Sequence, residues 1–239
     1  MFLARTPLDR AHLKADVRPG QSLLRAVDEI YTQALREDGL LAGTMIATDD
    51  GWRPVDGVAK GDLVLTFDNG MQPVTGVHRL EIKRATVPAH KSFLMLVPAN
   101  ALGNRKDLLL MPSQEVIVES DRAEVDFGEP FVLVQTLMLD GYHGIRKVPM
   151  ARDLQITMLT FENEQIIHAS GAALIVCRAE TDFCPLDASK RAHAVQTYNR
   201  LTHAQVKQVS KWLRQEAAYA TPAALDVDDL YAAFDARLS

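Results

Sequence analysis

Residues 39–75, GLLAGTMIATDDGWRPVDGVAKGDLVLTFDNGMQPVT, decide the fold. They read as short strands broken by tight turns. Thr44–Thr48 is a short strand, and Asp49-Asp50-Gly51 turns the chain because Asp and Gly tolerate positive φ at little cost. Trp52–Val55 carries it on and Lys60-Gly61-Asp62 turns it again. Leu63–Phe67 is almost continuously apolar, as a buried strand would be. Asp68-Asn69-Gly70 then supplies an Asn-Gly hairpin signal.

The same style of sequence continues to about residue 180. Thr75–Ile82, Phe93–Val97, Phe131–Val134, Leu154–Phe161, Gln165–His168 and Ala172–Cys177 read as further short strands. Leu108–Met111 and Val116–Val118 read as a pair around Pro112, which belongs at an edge or a bend because it cannot donate to a ladder. Phe161–Ile166, with three polar residues between apolar runs, reads as another hairpin. No amphipathic helices alternate with these strands, so the expectation is a mainly β fold of many short strands and hairpins.

Helices flank this region. Ser22 caps a helix over 22–38, with Leu23, Val27, Ile30, Tyr31, Ala34 and Leu35 on one face. Gly39 follows its last turn, where a glycine cap is common. From 186 the strand signals stop. Asp187 is placed to cap a helix to about Asn199, and Thr202 with Gln205 forms a capping box. That box opens a stripe of Val206, Val209, Trp212, Leu213 and Ala217, ended by Thr221-Pro222. Asp226 caps a last helix carrying Leu230, Tyr231, Phe234 and Leu238. The organisation expected is an N-terminal extension over 1–38, a β domain over 39–180 and a helical tail over 181–239.

Bulk properties narrow the function classes. The 239 residues are 47% apolar and 24% charged with a net charge of −5. That charge favours neither nucleic acid nor an anionic membrane surface, and no apolar run approaches the ~18–20 residues of a membrane span. MFLARTPLDRAHLKADVRPG has no apolar core of the secretory kind, so the expected location is the cytoplasm, or outside the cell by a route needing no such signal. Cys177 and Cys184 have six residues between them and read as reduced thiols. His12, His78, His90, His143, His168, His193 and His203 show no i, i+4 zinc spacing. There is no phosphate loop and no G-x-S-x-G elbow. Asp62 reads as a turn-stabilising residue.

The opening stretch also resembles a Hint domain, the module shared by hedgehog autoprocessing domains and inteins. The closest likeness is to a bacterial subgroup opening C-F-T-P-G-T-x-I-A-T, followed by G-D-x-V-L-T-x-D-N-G-x-Q-P-V. Gly43, Thr44, Ile46, Ala47 and Thr48 match the first part. Gly61, Asp62, Val64, Leu65, Thr66, Asp68, Asn69, Gly70, Gln72, Pro73 and Val74 match the second. Ala99–Leu110, Met111–Val118 and Gln165–Gly171 fit more loosely, so the resemblance covers about 39–176 and implies a Hint-like fold.

It breaks at the reactive positions. Processing members begin with a Cys or Ser nucleophile, which stands here as Gly39. Their S-P-Q-H-R-V stretch supplies a His, matched here by Gln114. A further His aligns with Glu164. A thiol or hydroxyl must attack the preceding carbonyl, and a nearby acid must protonate the leaving amine. Glycine cannot do the first and glutamine cannot do the second.

Thr44 cannot slide into the nucleophile position without breaking the register, and Ser113 has no base beside it in sequence. Asp38-Gly39 is a chemically labile dipeptide, read most simply as the end of a helix. The resemblance therefore implies a degenerate Hint domain: a binding or scaffolding module without autoprocessing, with no catalytic, cofactor or metal residues assigned. A protein partner would dock through the C-terminal helices. The alternative is a self-processing domain that cuts near residue 39 with a non-standard nucleophile. Nothing in the sequence supports a third possibility, a hydrolase assembled from scattered Asp, Ser and His.

Overall fold

The computed structural model describes residues 39–180, 198 and 200–217. The expected helix over 22–38, the helix from Asp187 and the last helix of the tail lie outside these. Fourteen strands are present among the described residues: β1 Leu40–Leu41, β2 Met45–Thr48, β3 Gly51–Pro54, β4 Leu63–Thr66, β5 Gly70–Pro73, β6 Gly76–Ile82, β7 Phe93–Val97, β8 Leu108–Leu110, β9 Glu115–Glu119, β10 Phe131–Gln135, β11 Arg146–Pro149, β12 Leu154–Thr160, β13 Gln165–Ala169 and β14 Ala173–Cys177. Two α-helices join them, α1 Asp121–Phe127 and α2 His203–Ala217. No described helix is long and apolar enough to cross a membrane.

The strands form two sheets. The smaller runs β11-β7-β8-β1-β12-β6. The larger runs β10-β9-β14-β13-β2-β4-β5, with β3 on β2 and a further pairing of β13 with β4. The Asn-Gly turn joins β4 to β5, with Thr66 opposite Gly70. Two expected pairings are corrected. β8 pairs with β1 and β7 in the smaller sheet, whereas β9 pairs with β10 and β14 in the larger. Likewise β12 and β13 belong to different sheets, so the Glu162-Asn163-Glu164 turn connects the layers and closes no hairpin. Apolar runs specify burial but not which neighbour covers it.

The main core contains Leu40, Met95, Val97, Leu108, Leu110, Ile167 and Ile175. Leu41, Leu94, Leu96, Leu109, Ile156 and Met158 form a second cluster. Alternate residues of β7 and β8 thus enter different clusters, which explains why their sequences are apolar without a break. Helix α1 carries its own start and stop: Ser120 accepts a bond from the Ala123 N–H, and Gly128 closes the helix at φ 77°. Helix α2 opens on the expected capping box, the Thr202 N–H donating to Gln205 Oε1 at 2.8 Å. Its Val209, Trp212 and Leu213 belong to the main core, and Trp212 stacks on Phe127 beneath the Arg122 guanidinium.

Candidate functional site

Strand β1 is only two residues long, yet it is central. Leu40 pairs with Leu110 on one side and Thr157 on the other, and Leu41 pairs with Ile156. Gly39 is thereby delivered to the edge of a cleft between β12 and the end of β14. Thr157, Met158 and Leu159 form one wall, and Val176, Cys177 and Arg178 another; the cleft is narrow, with room for about one water molecule.

Gln114 lies on the turn between β8 and β9 and also lines this cleft. Its backbone is held by Met111 and Thr136: the Gln114 N–H donates to Met111 O at 3.0 Å, and Thr136 N–H donates to Gln114 O at 2.8 Å. The side chain is 1% exposed. Its Oε1 accepts the Gly39 N–H at 2.8 Å, and its Nε2 donates to Glu115 O at 3.1 Å and Val176 O at 3.0 Å. An amide N–H can meet only the oxygen end of a side-chain amide, so this network fixes the orientation of Gln114. The two residues aligned with the family's nucleophile and first histidine are therefore in direct contact. What they share is a hydrogen bond, and the side-chain nitrogen is already committed elsewhere.

Gly39 is also fixed by a close approach. A Cβ placed on it would lie 2.3 Å from Ile156 Cγ2 and 3.1 Å from Met158 Cγ.

Glu164 occupies the turn between β12 and β13 and is 6% exposed. Arg200 Nη2 donates to its Oε1 at 2.5 Å and to Glu115 Oε2 at 2.8 Å. Burial lowers the pKa of Arg200, but the bonds from Glu115 and Glu164 outweigh it and hold the guanidinium above its ordinary range. Two residues earlier, Tyr198 packs with Leu133, Ile166 and Val176 on the larger sheet. Burial first, then Asp68 and the charge of Glu164, push its phenol above the usual value.

Thr44 is fully buried just before β2 and does not line the cleft. Asp62 holds its turn, its Oδ2 accepting from Ala59 N–H at 3.0 Å and Arg53 Nη1 at 2.6 Å. Among the described residues no group of His, Cys, Asp and Glu is arranged to hold a metal. Sequence reasoning missed Ile156, Cys177 and Arg200 as neighbours of these positions. None carries a local signal, since each arrives through pairing or packing of distant segments.

The family model described as "Hint domain" matches residues 39–175, more than half of the 239-residue chain, and the chain belongs to that family. It is similar to solved inteins and intein-like domains. A bacterial intein-like domain from Clostridium thermocellum is 12% identical, with 59% of this chain and 99% of that one covered at a TM-score of 0.44. A splice-inactive AceL NrdHF class 3 split intein is 12% identical over 60% and 99% with a TM-score of 0.41. The MchDnaB-1 intein is 12% identical over 57% and 98% with a TM-score of 0.38. No curated protein matches the chain.

Proposed function

We propose that this Hint domain does not cleave or rearrange its own backbone at residue 39 and serves as a binding or scaffolding module. The observation that carries the reading is the Gly39 N–H bonded to Gln114 Oε1. Autoprocessing needs a nucleophile at the first position and an acid that delivers a proton to the departing amine. Here the first residue has no side chain. The group facing its amide accepts a hydrogen bond, and so holds the peptide as it is. Members of a catalytic unit act together, and loss of one removes most of the rate.

Surface composition supports the binding part of the reading. Trp52, Phe67, Met71 and Phe131 are exposed. Trp52 lies opposite Ala47, and Met71 lies opposite Leu65, both on the side of the larger sheet away from core residues Ile46 and Val64. Phe67 meets Phe131 edge-on at 5.4 Å and His168 at 6.4 Å on that same side. Exposed large apolar side chains grouped on one face of a sheet, as the Phe67–Phe131 pair is, are a feature of interaction sites. Helix α2 turns Val209, Trp212 and Leu213 inward, so a partner reaching this helix would meet its outer side.

The test is intact mass of the purified protein before and after long incubation with a thiol and with hydroxylamine. The expected result is an unchanged full-length mass. A break near residue 39 overturns the reading. The alternative, self-processing by a non-standard nucleophile, draws on Cys177 lining the same cleft. A break that disappears in Cys177→Ala would establish it.

A further inference from the structure

The register of β1 on β12 fixes where a side chain at position 39 would point. Leu40 lies opposite Thr157 and Leu41 opposite Ile156, so position 39 falls opposite Met158. Its side chain would share a face with those of Leu41, Ile156 and Met158, because alternate residues of a strand line one side. That face belongs to the second hydrophobic cluster. Ile156 is 3% exposed there, and its Cγ2 lies 2.3 Å from where a Cβ at 39 would stand. This atom is a methyl on a branched carbon, set by a stiff first torsion, and not the end of a flexible chain.

We propose that Ile156 has taken over the space of the residue-39 side chain, so that Gly39 and Ile156 form one coupled unit that closes the nucleophile position. The proposal deepens the non-processing reading and rests on it. Under it, the loss of the nucleophile is built into the packing of β12. A cysteine restored at position 39 alone has no room: the Ile156 Cγ2 methyl is the nearest obstruction, with Met158 Cγ next at 3.1 Å on a more flexible side chain.

A cycle of substitutions tests the coupling in the full-length chain. Gly39→Ala is made in the native background, with Ile156→Val, which keeps a γ-methyl, and with Ile156→Ala, which removes both branches. Overpacking of a dense core predicts a fall in Tm of roughly 4–8 °C for Gly39→Ala in the native and Ile156→Val backgrounds. In the Ile156→Ala background the same change is expected to lower Tm by less than about 2 °C, or to raise it, because the added methyl enters a vacated space. If Gly39→Ala prevents folding outright, recovery of the fold in the double variant with Ile156→Ala is the expected result. Equal losses in all three backgrounds overturn the proposal, as does no loss in the native background or failure of the double variant to recover. Intact mass reads the other question separately: a fragment from the native chain sinks the non-processing reading without altering the cycle.

Discussion

The amide N–H of Gly39 donates to Oε1 of Gln114 across 75 positions of sequence, at 2.8 Å and out of contact with water. That bond ties the entry of the smaller sheet to the turn leading into the larger one. Gln114 Nε2 completes the tie through Val176 O and Glu115 O. Gln114→Leu would keep the bulk and orphan the Gly39 N–H and the Val176 carbonyl. Leaving buried polar groups unpaired costs about 1–3 kcal/mol each, so a loss of roughly 2–6 kcal/mol is expected. Denaturant unfolding followed by circular dichroism measures it. A loss below about 0.5 kcal/mol would mean that water replaces the amide.

The Arg200 contacts lead to a second expectation. Arg200 joins Glu115 on β9 to Glu164 on the turn between the sheets. The Glu164 side chain is 7% exposed, whereas that of Arg200 is 30% exposed. Removing the cation leaves two facing carboxylates, one of them buried, although solvent at Arg200 softens the penalty. Arg200→Met is expected to cost roughly 1–3 kcal/mol, and adding Glu164→Gln should recover part of it. Full additivity of the two changes in a double-mutant cycle would deny the coupling.

How much of this was legible in the sequence depends on the range of each interaction. The turns at Asp49-Asp50-Gly51 and Asp68-Asn69-Gly70 and the box of Thr202 and Gln205 are local, and they were read from adjacent residues. Alignment to the family pattern brought Gly39 and Gln114 to one place. Helix α1 is absent from the expected elements, although Ser120, the early acids Asp121 and Glu124, and Gly128 mark both its ends; seven residues carry too little periodicity to stand out. Strand β11 is absent from them as well, since Arg146–Pro149 alternates weakly in polarity. The division of strands between sheets was not legible, because Leu108–Leu110 and Val116–Val118 are both apolar and close in sequence yet belong to different layers. Ile156 and Arg200 were silent because only register and tertiary packing bring them to the site.

His168 gives a pH dependence. Burial holds its pKa below the ordinary histidine value of 6.5, and Phe67 and Leu174 lie beside it. A depressed pKa means the unfolded chain binds the proton more readily. The stability of the fold is therefore complete above about pH 6.5 and falls as pH drops from there toward the depressed value. His168→Phe is expected to flatten this part of a stability–pH curve measured between pH 7.5 and 5. An unchanged slope would place the titration on another group.

The C-terminal segment makes the last expectation. Helix α2, within the expected tail over 181–239, has Val209, Trp212 and Leu213 in the main core, each at most 6% exposed. Full burial of a large apolar side chain is worth about 1.5–3 kcal/mol, so three contribute roughly 5–9 kcal/mol as an upper estimate. A whole domain is stable by only about 5–15 kcal/mol. A chain ending at Glu180 would also lose Arg200 from between Glu115 and Glu164, leaving both carboxylates without it. That truncated chain is expected to be expanded, to bind a hydrophobic dye and to lack a cooperative thermal transition. Trp212→Ala in the full chain is the milder version, with an expected loss of about 3–5 kcal/mol. A truncated chain that melts cooperatively near the native Tm would show instead that the two sheets hold the Hint fold without α2, and that the helix is an accessory to it.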